Sequence, residues 1–87
     1  MKRRERWRPV LDTEVKRWSD KSYDQLRAEL LDIRDYEVEF ASKLYQVEVE
    51  LVENTKEYVH VIIAVDDGSL PWSIWTLTAD FIQRRSS

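Results

Sequence analysis

Cysteine is absent from this chain of 87 residues, glycine occurs once and histidine once. Without thiols, neither a disulfide framework nor a thiolate metal site can form, and the composition suits a reducing cytoplasm. A single glycine, Gly68, rules out the Gly-rich loops that cradle phosphates. One imidazole, no thiol and no serine in a nucleophile elbow leave nucleophilic catalysis little support. No apolar run approaches the roughly 20 residues that cross a bilayer. The basic start is followed by no hydrophobic stretch, so no secretory signal and no membrane association are expected.

What the chain does have is alternation. Tyr36, Val38 and Phe40 alternate with Glu37 and Glu39. Tyr45, Val47, Val49 and Leu51 alternate with Gln46, Glu48 and Glu50, and Val59, Val61, Ile63 and Val65 with His60, Ile62 and Ala64. A period of two marks strands whose faces meet different environments. The block therefore predicts a three-stranded antiparallel meander. Opposed residues in an antiparallel pair share a face, so parity limits the registers. Ala41 and Ser42 suit positive φ poorly, which favours a four-residue loop, Ala41 to Leu44, over a two-residue turn. That loop pairs Phe40 with Tyr45, Val38 with Val47 and Tyr36 with Val49. A turn at Asn54-Thr55-Lys56 pairs Leu51 with Val59, Val49 with Val61 and Val47 with Ile63. On the other face it sets Glu50 against His60, Glu48 against Ile62 and Val52 against Tyr58.

Helical signals precede this block. Val10, Leu11, Val15 and Trp18 fall at near-helical spacing after Pro9, with Asp12 as a candidate N-cap. Ser22 and Gln25 match a capping box that opens a second helix, Tyr23 to Ile33, with Leu26, Leu30 and Ile33 as its apolar stripe. After Asp66-Asp67-Gly68, Trp72 to Leu77 reads as a fourth strand beside the third, and Thr78 as the cap of a last helical turn through Gln83. The expected fold class is α+β. One or two short N-terminal helices pack on a three- to four-stranded antiparallel sheet, with a short C-terminal strand or helical turn. Residues 1–9 read as a basic flexible tail and residues 10–87 as a single small domain.

Charge is unevenly spread. Of 14 basic and 17 acidic groups, residues 1–8 hold five and one, leaving nine and sixteen for the rest. Lys2, Arg3, Arg4, Arg6 and Arg8 form a candidate contact for nucleic acid or an acidic partner. Glu37, Glu39, Glu48 and Glu50, with His60 beside them, have the residue types of a cation or acid–base site. Alternating glutamates are more simply the mark of a solvated sheet face that resists edge aggregation, and that is the stronger expectation. No catalytic residue, metal ligand or cofactor is therefore expected. Trp72 and Trp75 point to opposite faces in a strand, and an exposed one near Tyr58, His60 and Ile62 marks a candidate contact patch. Trp7 lies in the basic run, where it reads as an anchor for a partner or a second subunit.

The order helix, three antiparallel strands, short helix resembles the topology of double-stranded-RNA-binding domains and of some small toxin components. In those RNA-binding domains a strand-connecting loop and the start of the last helix are basic. Here Asn54-Thr55-Lys56-Glu57 and Asp66-Asp67-Gly68-Ser69-Leu70 are acidic or neutral, so no family follows. The expected function is a non-enzymatic protein–protein interaction or regulatory domain of the bacterial-cytoplasm kind, acting as a homodimer. The alternative is nucleic-acid binding through Lys2 to Arg8. The small core, open sheet edge and surplus tryptophans motivate the dimer.

Overall fold

A computed structural model describes residues 3–67 and 77–85. Two helices, α1 (Arg3–Ser19) and α2 (Tyr23–Glu29), precede four strands: β1 (Arg34–Phe40), β2 (Lys43–Asn54), β3 (Tyr58–Asp66) and β4 (Leu77–Arg84). The strands form one antiparallel sheet in the order β1-β2-β3-β4. The α+β meander is as expected, with β3 inside the sheet. No described helix is long and apolar enough to cross a membrane.

The segment read as a tail is helical from Arg3 onward, and its Trp7 is only 2% exposed. Trp7, Leu11, Glu14 and Trp18 fall on one helical stripe, with Val10 beside them, and all are buried. Pro9 hid this continuity. It has no N–H for the carbonyl one turn back and its ring crowds that carbonyl, at a cost of about 3 kcal/mol in a helix interior. Burial of a large aromatic, worth about 1.5–3 kcal/mol or more, offsets that cost when Trp7 and Leu11 both reach the core. The expected break at Pro9 and the cap at Asp12 are thus corrected: α1 runs through both.

Ser22 does cap α2, its hydroxyl accepting from the Gln25 N–H at 3.1 Å. The helix stops sooner than expected, with Leu30 as C-cap. Leu26 and Leu30 are buried, but Ile33 lies beyond the end and is 53% exposed. The side chain of Tyr23 enters the core and its hydroxyl donates to the Thr55 carbonyl, tying α2 to the β2–β3 connection. Helix α1 lies over β3 and β4, and α2 over β3. Both helices therefore cover one sheet face, onto which Tyr45, Val47, Val49, Val59, Val61, Ile63, Val65 and Leu77 project.

Parity assigned the odd residues of β2 and β3 to that face up to Leu51, but both registers differ from expectation by two residues. The first hairpin pairs Phe40 with Lys43, Val38 with Tyr45 and Tyr36 with Val47. It closes on Ala41 and Ser42, at φ 52° and 65°. Such a turn matches the strand twist, and the hairpin keeps it although neither residue favours positive φ. Replacing Ala41-Ser42 by Asn-Gly is expected to raise stability by about 1–2 kcal/mol in urea unfolding, since each left-handed non-glycine residue costs about 1 kcal/mol. No gain would mean that the turn is not of this type.

The second hairpin pairs Val47 with Val65, Val49 with Ile63 and Leu51 with Val61, then slips by one at a bulge between Leu51 and Glu53. Val52 is the extra residue and is 48% exposed. Beyond the bulge the partner of His60 is Glu53, whereas Glu50 meets Ile62 and Glu48 meets Ala64. The fourth strand is displaced as well. Residues 78–83, read as a helical turn, are strand, and they pair with β3 from Val59–Gln83 to Ala64–Thr78. Only Leu77 of the expected strand is in β4, and residues 72–76 lie outside the described residues.

Candidate interaction surface

The sheet has a second face that neither helix covers. By register it carries Asp35, Glu37 and Glu39 from β1, Glu48, Glu50 and Glu53 from β2, and Asp66 from β3. Asp80 of β4 lies on the same face, opposite Ile62. The acidic face expected from alternation is present, and it is wider than the four glutamates Glu37, Glu39, Glu48 and Glu50. Gln46 donates to Glu37 at 2.8 Å across the β1–β2 pair.

Against these carboxylates stand a few other side chains. Tyr58, His60 and Ile62 follow one another on this face of β3, and Ile82 and Arg84 continue it on β4. Ile82 is 52% exposed. The His60 ring sits between two acids, with Nε2 2.6 Å from Asp80 Oδ2 and Nδ1 3.5 Å from Glu53 Oε1. The Tyr58 hydroxyl donates to Glu53 Oε2 at 3.0 Å. That bond raises the pKa of Tyr58, because the phenol must surrender a proton held by a carboxylate. Among the described residues, no three His, Asp or Glu side chains are arranged to hold a metal ion.

The structure thus brings Tyr58, His60 and Ile62 together. Trp72, Trp75 and Lys2 lie outside the described residues. Arg3, Arg4, Arg6 and Arg8 stand in the first turns of α1, and Arg8 is exposed.

A second cluster lies on the helix side, and the sequence reading passed over it. Glu14 is 2% exposed within the apolar stripe of α1. The Tyr36 hydroxyl of β1 donates to Glu14 Oε1 at 2.5 Å and accepts from Trp18 Nε1 at 2.8 Å. Arg17 Nη1 stands 3.7 Å from the same carboxyl oxygen. Burial, followed by the bond to Glu14, pushes the pKa of Tyr36 up to about 12. Such a phenol keeps its proton at neutral pH and is a poor general acid. Its work is mechanical, fastening the edge strand β1 to α1. Arg17, Trp18, Lys21, Glu29, Arg34 and Tyr36 line a cavity of about 200 Å³ beside it. Lys21 is occupied there, 3.1 Å from Glu29 Oε2 and 5.3 Å from the centre of the Trp18 ring. The signal for this cluster was a carboxylate at helical spacing from Trp7, Leu11 and Trp18.

Comparison with protein-family models, with curated proteins and with solved structures returned no match.

Proposed function

We propose that this chain is a non-enzymatic protein–protein interaction domain of the cytoplasm that works as a homodimer. The observation that supports it is that, among the described residues, both helices cover the same face of the sheet. The other face and the edges keep exposed apolar groups among charges, including Ile82 and Val52. A sheet with open edges offers unpaired backbone donors and acceptors, which pair readily with another strand. A domain this small also has little core, and association adds burial that one chain lacks. At micromolar concentration, light scattering coupled to gel filtration should give twice the 10.5 kDa chain mass. A mass of 10.5 kDa would remove the dimer.

A further inference from the structure

The sheet has two outer edges, β1 and β4, and their side chains differ in kind. On the uncovered face β1 presents Asp35, Glu37 and Glu39. Any antiparallel pairing of β1 with its own copy that keeps the faces aligned sets carboxylate against carboxylate, which is unfavourable. The same face of β4 presents Thr78, Asp80, Ile82 and Arg84. This run is self-complementary. When Ile82 meets Ile82 of a second copy, Asp80 stands opposite the copy's Arg84 on both sides of the two-fold axis.

The backbone agrees with that register. The Arg85 N–H donates to the Glu57 carbonyl at 2.8 Å, so it points towards the β3 side of the sheet. Donors and acceptors alternate along an antiparallel strand. The N–H and C=O groups of Asp80, Ile82 and Arg84 therefore point away from β3, towards the open edge. Among the described residues no strand pairs with that edge, and Arg84 holds no ion pair. Asp80 uses one oxygen for His60, and its side chain is 60% exposed. Its second oxygen remains able to accept from a guanidinium.

From this complementarity we infer that two copies join edge to edge through β4, with Ile82 on the two-fold axis and Asp80 paired with Arg84 of the other copy. The result is one continuous sheet with the helices of both copies on the same face. This assignment rests on the homodimer reading and names its interface.

Charge reversal tests it. Asp80→Arg alone, or Arg84→Asp alone, opposes like charges twice in each dimer, and each should weaken association by about tenfold or more. Mixed in equal amounts, the two variants are complementary and should associate as tightly as the unaltered chain. The rescue also shows that both variants fold. Ile82→Lys, at a half-exposed position, should weaken association to a similar extent without touching the Asp80–His60 contact. An unaltered chain that dimerises, with all three variants dimerising as tightly, overturns the β4 edge and leaves the homodimer reading standing. A monomeric unaltered chain overturns both. A ladder of larger species would mean head-to-tail pairing of β1 with β4, and it too would overturn this interface.

Discussion

Replacing Trp7 by alanine is expected to cost about 3–5 kcal/mol and to leave much of the population unfolded under mild conditions. The indole is 2% exposed and belongs to the same buried cluster as Val10, Leu11 and Trp18. Alanine would open a cavity that neighbours fill only in part, so the loss combines transfer and void terms. A domain of this length has a total stability of about 5–10 kcal/mol, so on the order of half of that margin would go. Urea unfolding followed by circular dichroism measures it. A loss under about 1 kcal/mol would put Trp7 outside the core. The same burial changes how the basic run is to be probed. Deleting residues 1–8 would remove a core tryptophan along with five basic groups and one acid, so a role in nucleic-acid binding is tested by neutralising Arg3, Arg4, Arg6 and Arg8 with Trp7 kept.

Tyr36→Phe should lower stability by about 2–3 kcal/mol, with little change in packing volume. One hydroxyl serves two partners, donating to the buried Glu14 and accepting from the Trp18 N–H. Its removal leaves a buried carboxyl oxygen with only Arg17 at 3.7 Å and an indole N–H with no acceptor. The pH dependence sharpens the assignment. Burial and the Glu14 bond raise the folded-state pKa of Tyr36 from 10.0 to about 12. Between those values the folded chain holds a proton that the unfolded chain has lost, so this contribution is complete below pH 10 and falls as pH rises towards 12. The gap between the unaltered chain and Tyr36→Phe should therefore narrow across that range. A gap of constant size would show that the hydroxyl is not held by burial and Glu14.

Strand identity was the most legible part of the sequence, because alternation over Tyr36–Val65 reflects a sheet that packs both helices on one of its faces. Registers were less so. Parity cannot distinguish pairings that differ by two residues, and the unfavourable Ala41-Ser42 turn argued for the wrong one. The bulge at Val52 was invisible, since it breaks a pattern without leaving a glycine to mark it. Thr78–Gln83 misled for another reason: Phe81 faces the core beside Ile82 on the outside, a doublet that fits a helix as well as a strand. Glu14 was missed because a carboxylate in an apolar stripe acquires its meaning only from Tyr36, a strand away. The contact patch on β3 was half legible. Tyr58, His60 and Ile62 do share a face, but of the neighbours that give it chemical character, Asp80 lies in a segment read as a helical turn and Arg84 just past its end.

The amide of Gln83 donates to the carbonyls of Ser19 and Lys21, at 3.0 and 2.8 Å. It thus closes the end of α1 with a side chain made more than sixty residues later. Each strand pairs with its neighbour in the chain, so the hairpins can form as they emerge during synthesis. Helix α1 cannot follow that schedule, because part of the surface it covers is β4. The cover of its Trp7, Leu11 and Trp18 is complete only when β4 has joined the sheet. Full docking of α1 therefore depends on β4, the strand farthest from it along the described chain.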